Sequence, residues 1–121
     1  MMIKKILIVD DEPSVLKMLR KMLKDDAKEI IEAENGEQAL ELCLQHEMDL
    51  IITDIVMPKT DGMELLVKMK AKIPELYIIV MSGGNRGHGD KYLQMASDLG
   101  ANALLHKPFS LSKLLETIEN H

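Results

Sequence analysis

Ile3-Lys4-Lys5-Ile6-Leu7-Ile8-Val9-Asp10-Asp11-Glu12-Pro13 decides the fold. A short apolar run ends abruptly in carboxylates, and a proline follows where a helix would begin, a position that suits its fixed φ. The same design recurs along the chain. Leu50-Ile51-Ile52-Thr53 runs into Asp54, Ile78-Ile79-Val80-Met81 into Ser82, and Ala103-Leu104-Leu105-His106 into Lys107. Short apolar runs alternating with amphipathic stretches are the mark of βαβ units in a parallel sheet. In an open sheet of that kind, ligands bind outside the carboxyl ends of the strands. Asp10, Asp11, Asp54, Ser82 and Lys107 should therefore meet in one crevice. Three carboxylates repel one another, so the crevice should hold a cation such as Mg²⁺, which takes hard oxygen ligands. A lysine facing that cation leaves room for an anion held from both sides, most naturally a phosphoryl group.

Working outward, the first strand is 3–9 and a helix is predicted from Pro13 to about Lys24. Val15, Leu19, Met22 and Leu23 fall on its apolar face, with Leu16 and Met18 beside or outside that stripe. Residues 28–33 read as a second strand. Asn35-Gly36 marks a turn, and a helix follows to about Gln45. The third strand is 49–53. Met57-Pro58 and Asp61-Gly62 punctuate a loop before a helix at about 62–71, with Thr60, Asp61 and Gly62 serving its turn and cap. Pro74 precedes a fourth strand at 76–81. A loop with Gly83, Gly84, Gly87 and Gly89 leads to a helix at about 90–99, and Gly100 is placed to end it with positive φ. The fifth strand is 102–106, and a last helix runs from Leu111 to Glu119.

The 121 residues make one domain, 1–121, large enough to bury a single core. Phe109, Tyr77 and Tyr92 are its only aromatics, so Leu, Ile, Val and ten Met must fill that core. A formal charge of −5 argues against nucleic acid as a direct partner, since that binding needs a basic stripe. No apolar run is long enough for a transmembrane helix, and the start lacks the pattern of a signal peptide. Cys43 is single, which leaves no disulfide framework and suits a reducing, cytoplasmic setting. His46, His88, His106 and His121 share no metal-ligand spacing and read as structural or exposed, with only His88 near the site.

Asp10-Asp11, Asp54-Ile55-Val56-Met57-Pro58-Lys59-Thr60-Asp61-Gly62, Ser82-Gly83 and Lys107-Pro108-Phe109, in that order and each at a strand end, resemble the receiver domain of bacterial two-component response regulators. The likeness runs from Ile3 to Ile118. It implies a flavodoxin-like, doubly wound α/β sheet of order 2-1-3-4-5, similar to the chemotaxis regulators. It implies phosphorylation of Asp54, whose carboxylate would act as a nucleophile toward phosphorus. Asp10 and Asp11 would hold Mg²⁺ together with Asp54 and the backbone carbonyl of Val56. Lys107 would pair with the carboxylate and later with a phosphoryl oxygen, Ser82 would donate its hydroxyl to another, and the Lys107–Pro108 bond would be cis. Glu12 reads as a rim charge, and one of the acidic pair could also cap the first helix. The implied partners are a histidine kinase or histidine phosphotransfer protein, docking near Pro13, Val15 and Met18, and an output partner. The start at Met1 suggests a stand-alone protein rather than the receiver of a longer regulator.

Other classes fit less well. An FMN binder of the same topology needs a phosphate-cradling loop where Asp10-Asp11-Glu12 would repel one. A haloacid-dehalogenase-type phosphatase needs an acid two residues after the nucleophile, and Val56 stands there. No G-x-x-x-x-G-K-[ST] loop is present. A pseudo-receiver scaffold would lack part of the set, and none is missing. Two departures from the receiver pattern concern switching. Leu104 occupies a position that is often aromatic, and the Ser82–Lys107 interval is about three residues longer than in typical receivers, with the excess in Gly83–Gly89. The segment 82–90 is therefore expected to carry the signal.

Overall fold

The computed structural model describes residues 3–57, 60–83 and 89–120. Five parallel strands form one sheet: β1 (Ile3–Val9), β2 (Ala27–Ala33), β3 (Leu50–Asp54), β6 (Tyr77–Ser82) and β7 (Ala103–His106). Their order is β2-β1-β3-β6-β7, the doubly wound order expected from the sequence. Helices α1 (Pro13–Leu23), α2 (Gly36–Gln45), α3 (Gly62–Lys72), α4 (Gly89–Asp98) and α5 (Leu111–Glu119) connect and follow them. Among the described residues no helix is long and apolar enough to cross a membrane.

Strand side chains alternate between the two faces of a sheet, and here the alternation divides the core in two. Leu7, Val9, Ile51, Ile78 and Val80 pack with Ala39 and Cys43 of α2, Leu65, Leu66 and Met69 of α3, and Ala96 of α4. Ile6, Ile8, Leu50, Ile52, Ile79, Met81 and Leu105 pack with Leu16, Leu19 and Leu23 of α1 and Leu114 and Ile118 of α5. The central strand β3 is buried along its whole length, as a parallel strand covered on both faces must be. Burial in the first layer pushes the Cys43 thiol up to about 11, which leaves it un-ionised and inert at neutral pH.

Local chemistry fixes the helix ends. Asn35 accepts the Gln38 N–H at 2.8 Å while the Gln38 side chain accepts the Glu34 N–H at 2.8 Å, a reciprocal N-terminal cap. Ser110 caps α5 through the Lys113 N–H at 3.1 Å. Gly100 follows α4 with φ of 111°, as its placement suggested.

Two expectations need correction. The buried line of α1 is Leu16, Leu19 and Leu23; Val15 and Met22 lie half-buried at its flank and Met18 is 37% exposed. The stripes through Val15 and Leu16 share Leu19 and differ by one helical step of about 100°, so apolar spacing alone could not choose between them. The stretch after β3 is also more ordered than a plain loop. The short strands β4 (Val56–Met57) and β5 (Thr60–Asp61) pair antiparallel, Val56 with Asp61 and Met57 with Thr60. Strands of two residues are too short for alternation to be visible in a sequence.

Gly62 opens α3 directly against the backbone of Ile55. A Cβ there would strike the Ile55 carbonyl oxygen, carbonyl carbon and Cα, closer than real Cβ atoms come. The obstacle is backbone, so no side chain can yield. G62A should lower the urea-unfolding free energy by about 1–3 kcal/mol, the usual range for overpacking. An unchanged midpoint would mean that α3 can start elsewhere.

Candidate phosphoacceptor site

The same alternation aims the site. In β1, Ile6 and Ile8 face the α1/α5 layer, and Asp10 continues that row. In β3, Leu50 and Ile52 do so, and Asp54 continues it. In β7, Leu105 does so, and Lys107 lies two residues on. Each apolar row thus delivers its next side chain, a charged one, to the carboxyl end of the sheet on one face.

Asp10 is fully buried and Asp54 is 6% exposed, whereas Asp11 is partly open to solvent. One carboxylate oxygen from each of Asp10, Asp11 and Asp54 lies within 4.8 Å of the other two. The Lys107 ammonium donates to Asp10 Oδ2 at 2.9 Å and to Asp54 Oδ2 at 3.1 Å. Burial alone would pull its pKa down. The hydrogen bond it donates to Asp10, the charges of Asp54 and Asp10 and the hydrogen bond to Asp54 outweigh that and hold it above the ordinary lysine value. The other oxygen of Asp10 accepts the Glu12 N–H at 3.0 Å. That bond organises the turn before α1 without capping it. Glu12 itself is the N-cap residue, with no side-chain cap bond.

The backbone around Asp54 is held at several points. The Thr53 hydroxyl donates to the Asp54 carbonyl at 3.0 Å, and the Ile55 N–H donates to the Met81 carbonyl at 3.1 Å. Val56 then enters β4, paired with Asp61.

Ser82, the last residue of β6, is 1% exposed. Its carbonyl accepts the Lys107 N–H at 2.8 Å, and the Lys107–Pro108 bond is cis as expected. By alternation the Ser82 side chain belongs with Ile78 and Val80, on the layer opposite Asp54. The structure gathers the three carboxylates and the ammonium, and the Ser82 backbone is tied to Lys107 beside them. Leu104 packs half-buried against the α2–α4 core. The expectations placed on His88 and on the length of the 83–89 segment fall largely on residues 84–88, outside those described. His106 was not expected near the site, yet it pairs with Ser82 across β6 and β7. Its position directly before Lys107 was the available signal. Thr53 is a second such residue: a hydroxyl directly before Asp54 in an apolar run is a visible anomaly in the sequence.

Three close oxyanions with one ammonium carry excess negative charge. This hard-oxygen donor set fits a divalent cation such as Mg²⁺.

Comparison with known proteins agrees. Residues 6–119 match the response regulator receiver domain family. The response regulator GtcR of Aneurinibacillus migulanus is 41% identical over 109 residues, 90% of this chain and 43% of that protein. Sporulation initiation phosphotransferase F of Bacillus subtilis is 30% identical over 122 residues, covering all of this chain and 95% of that one. This chain spans about half the length of the first curated relatives it matches. The response regulator TrrA of Thermotoga maritima, solved in complex with Mg(2+)-BeF, superposes with a TM-score of 0.83 at 31% identity, over 97% of each chain. The family match spans the sheet from β1 to α5, and the chain belongs to the response regulator receiver domains, the phosphorylatable signalling modules of two-component systems.

Proposed function

We propose that the chain acts over residues 1–121 as one cytoplasmic receiver that takes a phosphoryl group on Asp54 from a histidine kinase or histidine phosphotransfer protein. The observation that carries this is the convergence of Asp10, Asp11 and Asp54 on the Lys107 ammonium. An oxygen of Asp54 forms the new bond to phosphorus as the bond from phosphorus to the donor histidine nitrogen breaks, and the departing imidazole keeps the electron pair. A carboxylate is a weak nucleophile, so placement and charge neutralisation must supply the rate. Lys107, already on Asp54, would follow the charge onto a phosphoryl oxygen, and the Ser82 hydroxyl would meet another. Asp10, Asp11, Asp54 and the Val56 carbonyl would hold Mg²⁺. When bound, the ion would neutralise charge on the transferring group. That TrrA was solved with Mg(2+)-BeF, and that a full-length relative is named a phosphotransferase, supports this reading. The chain would catalyse only its own phosphorylation and dephosphorylation.

The test of the chemistry is intact mass after incubation with acetyl phosphate. One phosphate should be added with Mg²⁺ present and none with EDTA, and D54N should stay unlabelled. Labelling of D54N, or labelling without a divalent ion, would move the acceptor elsewhere.

Lys107 links chemistry to stability. Its folded pKa lies above the unfolded value of about 10.4. Its stabilisation is therefore complete below that pH and is lost as pH rises through the folded value. K107M should lower metal-free stability at pH 7 by about 3–5 kcal/mol, because it leaves the buried Asp10 and Asp54 without their shared cation. Added Mg²⁺ should recover more stability in K107M than in wild type. Equal urea midpoints without metal would show that the pair contributes nothing.

The donor should dock on the exposed side of α1. Leu16 is buried and so unavailable, whereas Met18 is 37% exposed. M18E should slow transfer from the cognate kinase about tenfold, within the range for loss of an interface anchor, and leave acetyl phosphate labelling unchanged. Equal loss of both would place Met18 in the fold rather than the interface.

A further inference from the structure

We infer that Thr53 is a positioning residue for phosphoryl transfer to Asp54, acting through the peptide that joins Asp54 to Ile55. The inference rests on the reading of Asp54 as acceptor. Thr53 is 2% exposed in the central strand. By alternation its side chain belongs with Ile51, on a layer otherwise built from Leu, Ile, Val, Met, Ala and Cys43. A hydroxyl buried there is costly unless it is bonded. It donates to the Asp54 carbonyl at 3.0 Å. The pairing of β1 with β3 ends at Val9 and Thr53, so Asp54 lies one residue past the ladder on that side. The Thr53 hydroxyl supplies a donor at that point. On the other side, the Ile55 N–H is fixed to the Met81 carbonyl at 3.1 Å, and Gly62 lies against the Ile55 carbonyl with no room for a Cβ.

These three contacts clamp consecutive backbone groups directly after the acceptor. Rotation of the Asp54–Ile55 peptide would turn the Asp54 side chain and redirect the chain toward Val56. Gly62 and Met81 act on Ile55 through backbone atoms that no side-chain change removes. Thr53 is the member of the clamp whose grip is a side-chain hydrogen bond, and it works without touching the phosphoryl group.

The test compares T53V, which keeps the shape and removes the hydroxyl, with T53S, which keeps the hydroxyl and removes the methyl. Three quantities are measured on the full chain: the metal-free unfolding midpoint, the Mg²⁺ dissociation constant by calorimetry, and the rate of acetyl phosphate labelling. T53V should fold, bind Mg²⁺ about three- to tenfold more weakly and label about three- to tenfold more slowly, the effect of one lost hydrogen bond. T53S should restore both values. If T53V does not fold, T53A against T53S gives the same comparison. Wild-type labelling and Mg²⁺ affinity in T53V overturn the inference, as does T53S impaired as much as T53V, which would make the methyl packing the cause. A wild-type chain that takes no label at Asp54 overturns the reading beneath it as well.

Discussion

Repulsion among three carboxylates held at the end of one sheet is the constraint from which the rest of this structure takes its form. Asp10 and Asp54 are both buried, and a buried charge without a partner is among the most expensive features a fold can carry. Lys107 answers both at once, at 2.9 Å and 3.1 Å. Among the described residues one ammonium faces three carboxylates, and the residual negative charge suits a cation. The same arithmetic explains the depth of the site. Placed at the surface, these charges would be screened by water and salt, and neither a cation nor a phosphoryl group would be held strongly.

The apolar core sets the precision of that arrangement. Asp10, Asp54 and Lys107 each stand two residues beyond a side chain locked in the α1/α5 layer: Ile8, Ile52 and Leu105. The strands themselves are in fixed register, Val9 beside Thr53 and Ser82 beside His106. A shift of one residue in any strand would send its charged group to the opposite face. Packing of Ile and Leu several ångströms away is therefore what brings the Lys107 ammonium within hydrogen-bond reach of two acids on two other strands.

This explains why so much was legible in the sequence. Short apolar runs and turn residues such as Asn35-Gly36 and Gly100 locate the strands and helices, and every residue of the charged cluster ends a strand or stands one or two residues past it. What was not legible has specific causes. The rotation of α1 was ambiguous because Val15, Leu16 and Met18 are all apolar. The β4/β5 pair was hidden by its length. That Lys107 contacts Asp10 as closely as Asp54 depends on the tertiary distance between β1 and β7, which no local pattern encodes. The bond from Thr53 to the Asp54 carbonyl depends on where the β1 ladder stops, which again is a property of the assembled sheet.

The two faces of the sheet also define how a change at Asp54 could be felt elsewhere. By alternation Asp54 continues the α1/α5 row of Leu50 and Ile52 and Ser82 the opposite row of Ile78 and Val80, and Leu104 packs on the side covered by α2, α3 and α4. Ser82 is tied to Lys107 through its carbonyl, so the ends of β6 and β7 are coupled by backbone at the site itself. Bringing the Ser82 hydroxyl toward a phosphoryl group on Asp54 would require the end of β6 to turn from one layer toward the other. Leu104, half-buried in the layer that Ser82 would leave, is the side chain placed to respond. An aliphatic side chain there offers volume but no hydroxyl to trade between buried and exposed partners. With Leu104 packed there, a signal passing from the site to the α4 side would run through packing of that apolar layer.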